Sequence, residues 1–336
     1  SLKNNTIGYG NTAIGGVSMV GNTTGLANTS VGTASLQCNT TGSFNTAVGY
    51  GAGFNTTCSN NNTSMGFLAL YNNTTANQNT AVGYEALKVN TGSNNTAAGY
   101  QSMTANTTGT QNAALGTLAL NQNTTADNNT GIGHYALQAN TTGARNTAVG
   151  AFALDANSTG NYNVALGYGS LGANTTASNN TAIGYDALTD CTTGANNTAV
   201  GQQALTANTT ASSNTGVGYQ VLLANTTGAE NTSVGKSSMI SCSFFSEDLG
   251  FTGLVITNSS YLKIRYGQQL FSILLNDDQR EKFFDGGSLY LRLYKSGYAV
   301  FKDYPLFGVG NKNYRVITTK NIAIITDLNK ILTIFY

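Results

Sequence analysis

Charged residues, proline and tryptophan are scarce in this chain. Only 9% of its 336 residues are charged, one residue is proline and none is tryptophan. Globular proteins contain about 25% charged residues, so an ordinary charged surface is excluded. Disordered chains are usually rich in charge and proline, which argues against disorder as well. The net charge of +1 provides no bulk attraction to nucleic acid or to a membrane surface.

Long apolar runs and catalytic groups are scarce too. No apolar run approaches the roughly 20 residues of a membrane-spanning helix, and no signal-peptide pattern opens the chain. The single histidine, His134, takes the place of a tyrosine in neighbouring repeats, so we interpret it as a structural residue. Carboxylates of the repeats form neither a pair nor a calcium loop, and we interpret the neighbouring Asp277, Asp278 and Glu281 as a solvated turn, not as a metal site. We therefore predict a protein that is not an enzyme, with no catalytic residue, cofactor or metal.

What the chain does contain is a repeat. Phrases such as "NTAVGYEALKVNTG" recur about every 17 residues, with one step of 16. Each phrase has an asparagine four places before a glycine, an apolar residue just before it, and usually leucine or methionine four places after it. The glycines are Gly15, Gly32, Gly49, Gly66, Gly83, Gly99, Gly116, Gly133, Gly150, Gly167, Gly184, Gly201, Gly218 and Gly235.

This period predicts a parallel β-solenoid of about fourteen coils, because 17 residues are too few for a helical hairpin and lack a 3.6-residue apolar stripe. We expect two strands per coil, "NTAVGY" and a second near "EALKV", with asparagines at the Asn79 position stacked from coil to coil. Ala81 and Gly83 would form a bare face on which copies could pack. The predicted core residues are Val48, Val82, Leu87, Leu120, Val149, Leu188, Val200 and Leu205.

The phrases "NTAVG" and "NTAIG", followed by a small residue and leucine, resemble the head repeats of trimeric autotransporter adhesins. They are also similar to repeats of phage and giant-virus fibre proteins. The resemblance covers about residues 1–240. It implies a left-handed parallel β-roll that associates as a trimer, and it is specific for architecture more than for function.

The 17-residue period ends near residue 240. Residues 241–336 contain short alternating runs of β-branched and aromatic residues separated by turn signals. About eight such runs predict a small antiparallel β-sandwich or barrel. The predicted organisation is therefore a solenoid over 1–240 and an all-β globular domain over 241–336.

Roughly twenty asparagine sequons (Asn-x-Ser/Thr) occur in the chain, and ten of them fall in one column of the repeat. They predict a row of N-linked glycans along one edge of the solenoid. Asparagine and threonine are also favoured in turns, so the sequons can equally arise from the repeat itself. The candidates are Asn22, Asn39, Asn73, Asn106, Asn123, Asn140, Asn157, Asn174, Asn208 and Asn225.

The four cysteines replace turn residues of the repeat. Cys191 and Cys242 lie three coils apart, roughly 14 Å at ~4.8 Å per coil, which is too far for a disulfide. Cys38 and Cys58 lie in adjacent coils at different positions. Free thiols, an intermolecular bond and a bent-turn disulfide all stay open for this pair.

These patterns predict a structural protein of an extracellular or virion-surface fibre, coated with glycans. Leu2 would lie in an uncovered first coil, and the apolar terminus Ile334, Phe335 and Tyr336 of another copy would cover it. Such a contact joins unlike surfaces and propagates head to tail into a filament. The alternative is a trimeric adhesin or receptor-binding fibre whose C-terminal domain is the binding tip. The expected partners are copies of the chain, glycans or a host surface, but not nucleic acid.

Overall fold

The computed structural model describes residues 1–238 and the strands within 251–256, 261–266, 269–274, 307–309 and 313–315. In residues 1–238 every coil contributes one three-residue strand, and strands recur at the repeat period. They are β1 Thr12–Ile14, β2 Thr29–Val31, β3 Thr46–Val48, β4 Thr63–Met65, β5 Thr80–Val82, β6 Thr96–Ala98, β7 Ala113–Leu115, β8 Thr130–Ile132, β9 Thr147–Val149, β10 Val164–Leu166, β11 Thr181–Ile183, β12 Thr198–Val200, β13 Thr215–Val217 and β14 Thr232–Val234.

These strands form one parallel sheet in chain order from β1 to β14. Equivalent residues pair across every interface, so that Ala81 lies beside Ala97 although this coil is one residue shorter than the others. The repeated phrase thus aligns like residues along the axis, which is the requirement for stacked ladders. The prediction of a parallel β-solenoid with about fourteen coils is confirmed.

The predicted second strand near "EALKV" is wrong. Glu85 and Leu87 have φ angles of 53° and 50°, in the left-handed region that a strand does not use. The segment is a series of turns. Its backbone still bonds along the axis, because the Leu87 N–H donates to the Ser102 carbonyl of the next coil at 3.1 Å. Each coil therefore has a strand side and a turn side.

The core lies between these two sides and contains alanine from the strand and leucine from the turn. Ala81 and Leu87 are both fully buried, whereas Val82 is 38% exposed. The predicted inward position of the valine column is therefore corrected, and so is the predicted outer face of Ala81. Leu87, Leu120, Leu188 and Leu205 are fully buried, while Val48, Val149 and Val200 are only partly buried.

Lack of space on the strand side explains why alanine faces the core and valine faces outward. At Gly131, which takes the alanine position in its coil, an added Cβ would lie 3.3 Å from Cγ of Leu120. At Gly216 it would lie 3.0 Å from Cγ1 of Val221. The strand side therefore has room for about one methyl group, and a branched side chain has to point outward.

The repeated glycine ends each strand with a φ angle that only glycine adopts easily. At Gly150 φ is 135°, and a Cβ there would lie 2.5 Å from the carbonyl oxygen of Gly167. Both the conformation and the close approach of the next coil require glycine, which accounts for its place in every repeat.

Beyond the solenoid, the described strands are antiparallel. They are β15 Phe251–Ile256, β16 Tyr261–Tyr266 and β17 Gln269–Leu274 in one sheet, and β18 Phe307–Val309 and β19 Asn313–Arg315 in another. The predicted sandwich or barrel depends on residues outside the described ones, so it stays a prediction.

Candidate functional site

An apolar stripe runs along the outside of the solenoid. We define the outer stripe as two columns of side chains: the residue before each repeated glycine, and the residue after it. Val82 and Tyr84 are 38% and 43% exposed, although both are large and apolar. Other exposed members are Ile14, Tyr50, Met65, Phe67, Tyr100, Leu115, Ile132, Leu166, Tyr168, Tyr185, Val217, Tyr219 and Val234.

Aromatic rings in the second column of the outer stripe stack along the axis. Tyr50, Phe67, Tyr84 and Tyr100 form a continuous stack with ring centroids 5.2 to 5.5 Å apart. His134 occupies the same column, where its ring packs edge-on against Phe152. The stacked rings cover one another's faces, so the surface presents mainly ring edges and phenol hydroxyls.

Few charges interrupt the outer stripe. Lys236 is one of its members, and its Nζ lies 5.7 Å from the centroid of the Tyr219 ring. Asp186 lies beside Tyr185, and its negative charge raises the pKa of that phenol. A stripe that is apolar and nearly uncharged over many coils suits contact with another apolar surface.

Inside each coil, two asparagine columns hold the turns. In the first column, Nδ2 of Asn146 donates to the Gly160 carbonyl at 2.8 Å, and its N–H donates to Oδ1 of Asn129 at 2.9 Å. Its own Oδ1 accepts the N–H of Asn163 at 2.9 Å. The predicted ladder at the Asn79 position is present, with the backbone N–H of one coil bonded to the side chain of the previous coil.

The second column contains the predicted glycosylation sites. Nδ2 of Asn140 donates both to Oδ1 of Asn123 and to the Gly143 carbonyl, each at 2.9 Å. Its Oδ1 accepts from Nδ2 of Asn157 at 2.8 Å. The ten predicted residues, from Asn22 to Asn225, are all at most 1% exposed. A glycan on Nδ2 would remove one of its two donated bonds and has no space, so the expected glycan row along this column is incompatible with the folded coil.

Within residues 1–238, two coils lack asparagine in the second column. Thr56 and Cys191 stand in its place, and Oδ1 of Asn39 and of Asn174 then has no hydrogen-bond partner among the described residues. The buried thiol of Cys191 contacts the Gly194 carbonyl at 3.2 Å. Burial raises its pKa to about 11. These two coils are local weak points, because an unpaired buried polar atom costs free energy.

The cysteines and the assembly candidates are placed only in part. Cys38, Cys58 and Cys191 are free thiols, so Cys38 and Cys58 do not bridge within the chain. Leu2 is partly buried against the cluster of Met19, Leu36, Ala47 and Ala52. Cys242 and the candidates Ile334, Phe335 and Tyr336 lie outside the described residues.

The described part of the chain contains no group of three His, Cys, Asp or Glu side chains that could hold a metal ion. It also contains no helix long and apolar enough to cross a membrane. In comparisons with protein-family models, curated proteins and solved structures, none matched this chain.

Sequence reasoning missed the outer stripe because the alternation in "NTAVG" defines two faces without saying which one is inside. The size of the residues was the usable signal. The middle residue of every strand from β1 to β14 is Ala, Ser or Gly, whereas the residue after it varies in size from Ala98 to Met65. A column restricted to small side chains indicates a confined space, and a column of variable size indicates an open one.

Proposed function

We propose that this chain is a non-catalytic structural rod of an extracellular or virion-surface fibre. One observation carries the proposal: the first asparagine column bonds fourteen consecutive coils into a continuous ladder, from Asn11 to Asn231. At ~4.8 Å per coil this rod is about 65 Å long. Side chains repeated in this way maintain length and stiffness, which is what a fibre needs.

Electron microscopy of the purified full-length chain tests the proposal. We expect rods at least as long as the stacked coils, either singly or joined into filaments. Compact particles without an elongated body would contradict it.

In the proposed fibre, copies of the chain associate head to tail. The contact would join the first coil, near Leu2, to the C-terminal segment with Ile334 and Phe335 of another copy. Filament length on micrographs of an Ile334→Asp, Phe335→Asp variant tests it. We expect short rods, and unchanged long filaments would refute this contact.

A second candidate is lateral association into a homotrimer, as in a trimeric adhesin-like fibre. The outer stripe favours it, because exposed apolar columns as long as the rod and about 10 Å wide offer on the order of 700 Å² per subunit. A standard protein interface buries about 800 Å² per partner, and in a trimer each subunit would divide the area of the outer stripe between two neighbours. The C-terminal domain would then be the binding tip.

Charge on the outer stripe tests the lateral contact. We expect the double variant Val82→Asp, Val149→Asp to reduce the molar mass measured by light scattering to that of one chain. Thr142→Asp is the matched control, since Thr142 is exposed but lies outside the outer stripe. A wild-type protein that is already monomeric would rule out this candidate.

A further inference from the structure

A second set of sequons lies on the surface of the solenoid. The position immediately before the first asparagine column is itself asparagine in five coils, and each of these residues begins an Asn-Asn-Thr sequon. All five are exposed, in contrast to the buried column described above. They are Asn61, Asn94, Asn128, Asn179 and Asn196.

The backbone at these five positions is held in place, whereas the side chain takes part in neither of the two asparagine columns. Their φ angles lie between 58° and 64°, in the left-handed region that asparagine tolerates better than most residues. The N–H of Asn128 donates to the Thr110 carbonyl of the previous coil at 3.1 Å. The coil therefore holds the main chain in place, and the amide projects from the turn into solvent.

Other coils show that this position accommodates large groups. The equivalent residues include Phe44, Arg145, Tyr162 and Glu230, which differ widely in size and charge. Phe44 is 56% exposed and Tyr162 is 52% exposed. A side chain of almost any volume can point outward here without entering the core, and an attached sugar meets the same conditions.

We propose that N-linked glycans are carried by the exposed set, Asn61, Asn94, Asn128, Asn179 and Asn196, and not by the buried column. In the transfer, Nδ2 forms a bond to C1 of an oligosaccharide linked to a lipid pyrophosphate. The bond from C1 to the pyrophosphate oxygen breaks, the lipid pyrophosphate leaves, and one amide proton passes to a base of the transferring enzyme. The inference rests on the proposed extracellular location, since the chain has to meet that enzyme.

Folding determines which of the two sets of asparagines carries glycans in the secreted protein. Transfer takes place on the extended chain, where both sets are accessible. A chain modified at Asn140 keeps only one hydrogen on Nδ2, so it cannot make the bonds to Oδ1 of Asn123 and to the Gly143 carbonyl together. A chain modified at Asn128 loses no ladder bond. Secreted, folded rods therefore carry glycans only at exposed positions.

Spacing along the axis sets the density of the glycan row. Asn61, Asn94 and Asn128 follow one another at two-coil intervals, roughly 10 Å apart. Asn179 and Asn196 are in adjacent coils, about 4.8 Å apart, which is too close for two branched glycans side by side. We expect each chain to carry a glycan at one of these two positions and not at both.

The test is expression of the full-length chain with an added secretion signal in insect cells. Glycans are removed with peptide N-glycosidase in heavy-oxygen water, which labels each occupied asparagine, and mass spectrometry locates the label. We expect label at the exposed set and none in the buried column. Asn128→Gln should remove one glycan without changing the melting temperature, because Gln78 and Gln111 occupy that position naturally.

Asn123→Gln is the matched control, and it should leave the glycan mass unchanged but lower the melting temperature. Label in the buried column of secreted rods, or secreted rods without label at the exposed set, would overturn the inference. Failure of the wild-type chain to be secreted at all would do so too. Micrographs separate the two proposals: unglycosylated rods refute only the glycan sites, whereas glycosylated compact particles refute only the fibre.

Discussion

The strand side and the turn side of each coil build one core with opposite choices of side-chain size. On the strand side of one coil Ala148 points inward, and on its turn side Leu154 does; both are fully buried. The extended strand approaches the opposite wall so closely that only a small residue fits. The turn side curves away and needs a large one. The strand side is therefore the narrow side of the coil. Its larger residues have to face outward, and they form one column of the outer stripe.

The largest expected effect comes from placing a charge on the narrow side. Ala148→Asp buries an unpaired carboxylate, which costs several kcal/mol. We expect a loss of at least about 4 kcal/mol in the free energy of unfolding. Val149→Asp is the control one residue away, and on the outer stripe it should cost below about 1 kcal/mol. Denaturant titrations showing equal losses would contradict the assignment of the two faces.

The junction between the two sides can be broken at the repeated glycine. Gly150→Ala introduces a Cβ at φ 135° and 2.5 Å from the Gly167 oxygen. We expect a loss of about 2–4 kcal/mol, measured as a lower melting temperature. At Gly16 the nearest atoms to an added Cβ are 3.9 Å away, so Gly16→Ala should leave the temperature nearly unchanged. An equal response of both variants would refute the steric explanation.

Alkaline pH tests the turn side at Cys191. Its pKa is about 11 in the folded chain against an ordinary value of 9.0, so the unfolded chain releases the proton first. The protonated thiol therefore contributes to the free energy of unfolding below pH 9. This contribution is lost as pH rises towards 11, by about 2–3 kcal/mol in total. Since tyrosines titrate in the same range, the measurement is the difference in unfolding free energy between wild type and Cys191→Ala. A difference that stays constant with pH would show that the thiol is not buried.

The smallest expected effect is a gain. Cys191→Asn would restore the second asparagine column, with Nδ2 bonding to Oδ1 of Asn174 and to the Gly194 carbonyl. Each buried hydrogen bond contributes about 1 kcal/mol, so we expect a stabilisation of about 1–2 kcal/mol in chemical denaturation. The reverse change, Asn140→Cys, opens a gap in an intact ladder and should destabilise by a similar amount. A stabilising Asn140→Cys would show that the ladder contributes nothing.

Much of the fold could be predicted because residues that recur in every repeat occupy equivalent places in successive coils. Asparagine at every equivalent of Asn79 predicted a ladder, and leucine or methionine at nearly every equivalent of Leu87 predicted the buried anchor. The second strand could not be predicted from "EALKV", since nothing in those letters reveals two left-handed residues. For the site, the sequon pattern identified asparagines but could not separate buried Asn140 from exposed Asn128.

The sequence by itself determined the period, the parallel stacking and the identity of the ladders, because a residue repeated every 17 positions has to meet its own copy in the next coil. Only the tertiary structure decided which face of the strand is the inner one. Alternation in Thr147, Ala148 and Val149 is the same whichever side is buried. The distance between the strand and the turn opposite admits one methyl group, so alanine is enclosed and valine remains at the surface.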